Sequence, residues 1–93
     1  MNKKKLNIAR KEVDHLDKKI FNLIKKRTRI VKHMLSLKKF KKEIIDHKRI
    51  NEILKRIKNK SIKDDIDPRV TRRIWKSIIW GYVDYQKRNF KKK

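Results

Sequence analysis

With 93 residues the chain has room for one domain at most, and a lone domain of that length buries only a modest fraction of its surface. The absence of cysteine excludes a disulfide framework, a thiolate nucleophile and a Cys-ligated metal, and it fits a reducing compartment. A formal charge of +22 admits a nucleic-acid or membrane-surface partner, but most of the Lys come in runs such as Lys3 to Lys5, Lys25-Lys26, Lys41-Lys42 and Lys91 to Lys93, which read as solvated faces and frayed ends.

With one Gly and one Pro in the whole chain, this composition matches the drift of an AT-rich genome. The charge therefore carries little weight as a functional signal. MNKKK is basic, but LNIARKEVDHLD behind it is too charged for the apolar core of a signal peptide. No apolar run is long enough to cross a membrane, so a cytoplasmic protein is expected.

The apolar residues recur three and four apart, and no stretch alternates for long with the period of a strand, which predicts an all-α chain of three helices. The first runs from about Leu6 to Phe40 without a breaker, on the order of 50 Å at 1.5 Å per residue. That far exceeds the roughly 13 Å radius of gyration of a compact domain of this size. Two shorter helices cannot cover such a rod, so a second chain is expected to pack along it. After a short connection, Lys41 to Ile45, Asp46 is a good N-cap for a second helix carrying Ile50, Ile53, Leu54 and Ile57 to about residue 60. Asp67 and Pro68 open the third, with Pro at the first helical position. It continues through Val70, Ile74, Trp75, Ile78, Ile79, Tyr82 and Val83 towards Phe90.

On the first helix, positions 10, 13, 17, 20, 24, 27, 31, 34 and 38 form one seam, and they read Arg, Val, Asp, Ile, Ile, Arg, Val, Met, Lys. A charge facing a helical core carries a desolvation penalty of several kcal/mol unless it is paired. Arg10 can meet an acid such as Asp17 across an interface, and Lys38 can reach water at the helix end. The other reading is that an anion meets these cations. On the third helix Trp75, Ile79, Tyr82 and Gln86 step likewise, and Gln86 breaks the apolar row, either as a satisfied core amide, as a frayed end or as a ligand group.

Arg27 and Lys38 lie roughly 16 Å apart along the rod and can bracket one small ligand. Arg10 is roughly 25 Å before Arg27. Only in an antiparallel dimer of the long helices does Arg10 of one chain come into register with Arg27 of the other. Two Arg, a Lys and a Gln suit a small dianion with a polar bridging atom. The three His have no metal-ligand spacing, and Asp64, Asp65 and Asp67 read as loop and cap rather than as a calcium site. No metal and no cofactor is expected, and an enzyme built this way works by orientation and electrostatics. Gly81, inside the third helix, permits close approach of another helix or a ligand, or reflects drift.

The segment ARKEVDHLDKKIFNLIKKRTRIVKHMLSLK, with DHKR and IIWGYVDYQ further on, resembles the small all-α chorismate mutases. That family opens with R-x-x-I-D-x-L-D, followed by an Arg some ten residues on and a Lys eleven after it. The resemblance covers about Leu6 to Phe90 of a single domain spanning 1–93, and it implies an intertwined helical homodimer. By position it implies that Arg27, and Arg10 from the partner subunit, hold the carboxylates of chorismate. By the same resemblance Lys38 and Gln86 would donate to the ether oxygen, and Arg49, with Asp46 nearby, would help at the helix-two end of the pocket. Tyr82, one turn before Gln86, joins the expected substrate contacts.

One departure stands out: Ile50 follows Arg49 where typical mutases place a Glu that meets the ring hydroxyl. The related isochorismate-pyruvate lyases tend to carry an aliphatic residue there, so mutase is the first expectation and lyase the second. A basic helical nucleic-acid binder, using Trp75, Trp80, Tyr82 or Tyr85 to stack on bases, and an inactive structural dimer are the readings from other classes. The aromatics on the core side of the third helix argue against nucleic acid.

Overall fold

The structure, a computed structural model, describes residues 2–91. Lys92 and Lys93 of the expected basic tail lie outside the described residues, as does Met1. The elements are α1 (Lys3–Leu37), a 3-10 turn (Lys41–Ile44), α2 (His47–Lys63) and α3 (Pro68–Asn89), with no strand among the described residues. The chain divides into an N-terminal unit, Met1–His33, and a C-terminal unit, Met34–Lys93.

The N-terminal unit is one helix. It starts three residues before the expected Leu6 because Asn2 caps it: Asn2 Oδ1 accepts the Lys5 N–H at 3.0 Å and Asn2 O accepts the Leu6 N–H at 3.0 Å. Lys3 to Lys5, expected as a frayed end, are its first helical turn, with exposed side chains. A helix with no second element in its unit has little to bury a stripe against. Ile8, Val13, Leu16 and Ile20 are accordingly more than half exposed, as are Phe21 and Leu23. Val31 is buried, and Ile24, Arg27 and Thr28 are half-buried.

The C-terminal unit begins with the last turn of α1, which ends at Leu37 rather than at Phe40. The Lys39 and Phe40 amides leave the helix because the Glu43 carboxylate takes both. α2 and α3 pack against each other across a short connection, as an antiparallel helical pair, and the 3-10 turn packs on α3. Ile44, Ile50, Ile79 and Val83 form the buried apolar core. Val70 and Ile74, read from the sequence as part of the same apolar row, are about half exposed.

α2 starts where Asp46 predicts, with Oδ1 accepting the Arg49 N–H at 2.9 Å. It runs three residues past the expected end. The Asp65 N–H bonds Ile62 O at 3.3 Å and the Ile66 N–H bonds Ser61 O at 2.8 Å, the Schellman pattern, with Asp65 at φ 56 in the left-handed region where Gly is usual. α3 opens on Asp67, whose Oδ1 accepts the Arg69 N–H at 2.9 Å, with Pro68 first in the helix.

Near the α2–α3 connection a polar clamp joins the two helices. Ser61 is 3 % exposed, and its hydroxyl donates to Ile57 O at 2.6 Å. That uses its one proton, so Thr71 Oγ1 donates across to Ser61 Oγ at 2.7 Å in preference to its own Pro68 O at 3.3 Å. A Cβ built on Gly81 meets nothing within 4 Å among the described residues, so no close approach within the chain accounts for it.

Candidate active site

At the other end of the α2–α3 pair, the last turn of α1, the 3-10 turn, the start of α2 and the end of α3 come together in the C-terminal unit. Lys38 is the first residue past α1, its N–H closing the helix on Leu35 O at 3.1 Å. Its side chain is half-buried, and Nζ donates to Gln86 Oε1 at 2.7 Å. Gln86 is 7 % exposed, which excludes the frayed-end reading, and its Nε2 donates to Tyr82 O at 3.2 Å. The structure therefore joins, by one short charge-assisted bond, two residues 48 positions apart that the sequence places on different helices.

The bond orients both groups. An ammonium has three N–H donors and a primary amide two, so these contacts use one of the three on Lys38 and one of the two on Gln86. The pair can give further hydrogen bonds to an acceptor that gains negative charge. Burial pushes the Lys38 ammonium below the usual lysine range, and the negative charges of Glu43 and then Asp46 pull it back up. The ammonium is therefore both partly open to water and tied to Gln86, so water is not its sole partner.

Asp46 is exposed at the cap of α2 and acts on Lys38 through its charge. Arg49, on the first turn of α2, is exposed, with its backbone N–H on the Asp46 carboxylate. Ile50 is 8 % exposed and belongs to the core of this unit. Tyr82 is half-buried, and its carbonyl holds the Gln86 amide. Arg10, exposed, and Arg27, half-buried, lie on α1 in the N-terminal unit, roughly 25 Å apart along the helix.

Glu43 escaped the sequence reading. Its Oε2 accepts the backbone N–H of Lys39 at 2.7 Å and of Phe40 at 2.8 Å, and these bonds, with the positive charges of Lys38 and Lys42, hold its carboxyl below the usual range. A Glu three residues after a Ser or Thr is a recognisable capping signal. Here the residue three before it is Phe40, which hides the motif.

The family model described as chorismate mutase type II matches residues 9–87. No curated protein and no solved structure matches the chain. No helix among the described residues is long and apolar enough to cross a membrane. The family match reaches from just before Arg10 to just past Gln86 and takes in all three helices, and on that extent the chain belongs to the chorismate mutase type II family.

Proposed function

We propose that the chain is a chorismate mutase, rearranging chorismate to prephenate in aromatic amino-acid biosynthesis, and that it works in the cytoplasm as an intertwined antiparallel homodimer. The observation that carries this reading is the Lys38 Nζ to Gln86 Oε1 bond of 2.7 Å, which brings a cation and an amide together within a chain of that family. In the [3,3] rearrangement the ether C–O bond breaks as a new C–C bond forms, with the electrons shifting around one six-atom array. No proton, oxidant or second substrate enters.

The site then has two tasks, holding the folded conformer and stabilising the negative charge that builds on the ether oxygen. Lys38 and the second amide N–H of Gln86 serve the oxygen. Arg27 and the partner subunit's Arg10 hold the two carboxylates, and Arg49, Asp46 and Tyr82 complete the substrate contacts, an assignment that rests on the family pattern in the sequence. The exposed apolar residues of α1, among them Val13, Leu16 and Ile20, favour a second chain. Sedimentation equilibrium should give twice the chain mass of 11.5 kDa, and a monomer at assay concentration would overturn the shared site.

Ile50 favours a second reading, isochorismate-pyruvate lyase, because a buried aliphatic side chain stands where the family pattern has a Glu. The two are separated by incubating purified protein with chorismate and with isochorismate and identifying the products. Prephenate from chorismate carries the first reading. Pyruvate released from isochorismate alone carries the second, and no product from either overturns both.

A further inference from the structure

Lys38 has a long, flexible side chain and stands just beyond the end of a helix, where the backbone is least constrained. Its neighbour Leu37 is the last helical residue, and the two amides that follow Lys38 would be free to fray. They do not, because a single oxygen, Glu43 Oε2, accepts both of them at 2.7 and 2.8 Å, while the Glu43 N–H returns to Phe40 O at 3.0 Å. Residues 38 to 43 form a closed turn with Lys38 at its root. The same carboxylate is the largest counter-charge acting on the Lys38 ammonium, ahead of Asp46.

We propose that Glu43 is the positioning residue for Lys38: its carboxylate locks the turn from which the side chain departs and sets a negative charge near the ammonium that donates to Gln86. The inference rests on the mutase reading for its kinetic consequence. The charged groups facing this part of the chain are Asp46 from the cap of α2 and Lys42 from the 3-10 turn, while Gln86 from α3 is neutral. Burial disfavours the charged form of Lys38, so removing Glu43 moves the ammonium further towards deprotonation. Loosening the turn also displaces the donor, and a misplacement of about 1 Å can lower a rate by about a hundredfold.

Two substitutions separate the pin from the charge. Glu43→Gln keeps an acceptor oxygen for the Lys39 and Phe40 amides but removes the charge. Its kcat at neutral pH should stay close to that of the unaltered enzyme, while the alkaline limb of the kcat/KM profile, which reports the free enzyme, moves to lower pH. Glu43→Ala removes both, and kcat should fall about tenfold or more, with a smaller change in KM and a helix content by circular dichroism that shows the chain folded. A merely structural Glu43 would lower the melting temperature of Glu43→Ala and leave the pH limb of Glu43→Gln in place, and that result overturns the proposal. So does full kcat in Glu43→Ala.

Nuclear magnetic resonance titration of the Lys38 side chain in the unaltered protein and in Glu43→Gln reads the electrostatic link without any substrate. A lower midpoint in the variant supports the proposal, and superimposed curves overturn it. A protein inert towards chorismate, yet showing the shifted midpoint, would set aside the mutase reading and leave the Glu43–Lys38 link standing.

Discussion

Consider replacing Lys38 by Met and Gln86 by Leu, singly and together. A charge-assisted hydrogen bond contributes roughly 1.5–3 kcal/mol, and stranding a buried acceptor costs roughly 1–3 kcal/mol. Gln86 is 7 % exposed, so in Lys38→Met its Oε1 loses its donor with little water to replace it. Lys38 is half-buried, so in Gln86→Leu the ammonium rehydrates at a smaller penalty. Water already competes for that end of the bond, which places the coupling between the two residues at about 1–2 kcal/mol, below the top of the range. The double variant faces apolar side chains towards each other and should be more stable than the sum of the single losses by that amount. Urea unfolding followed by helical circular dichroism, at one fixed protein concentration to keep any association constant, measures all four corners of the cycle. Additivity within about 0.3 kcal/mol would refute the claim that the 2.7 Å contact is a working bond.

Other outcomes follow from the same geometry. Asp65→Gly relieves a left-handed residue at φ 56 and should stabilise the chain by roughly 1 kcal/mol in thermal or urea unfolding. Gly81→Ala adds a methyl group into open space within α3 and should also stabilise by roughly 1 kcal/mol, whereas a loss would mean that a second subunit packs there. The alkaline limb of kcat/KM, which reports the free enzyme, should lie below the usual lysine range, because the charged form of Lys38 is lost as pH rises through its lowered pKa. The same shift sets a sign for stability. Between the folded and the ordinary lysine value the unfolded chain binds more protons, so the Lys38 contribution to stability rises with pH across that window, as a pH series of unfolding curves would show.

Much of this architecture was legible in the residues. Asp46 and the Asp67-Pro68 pair announce the starts of α2 and α3, because a short acceptor side chain and a proline without an N–H suit those positions alone. Gln86 was legible as a polar break in an apolar row, and the structure turns the break into a bond to Lys38. The helix ends were less so. α1 starts at Lys3 behind an Asn2 cap, and α2 ends on a left-handed Asp with no glycine to mark the place. Glu43 was invisible because its partners are backbone amides in its own turn, and a backbone amide has no residue type to read. The Ser61–Thr71 clamp was hidden for a related reason, since which hydroxyls meet across two helices depends on their packing rather than on spacing within either helix.

The central claim is that Lys38 and Gln86 act together on the oxygen of a breaking C–O bond. Its most direct test is the loss of the ultraviolet absorbance of chorismate, followed with the unaltered protein, Lys38→Ala and Gln86→Ala side by side. The account predicts saturable turnover by the unaltered protein and a kcat lower by about a hundredfold or more in each variant, the scale on which removing a preorganised donor acts. Turnover that survives undiminished in Lys38→Ala, or none at all in the unaltered protein, would contradict it.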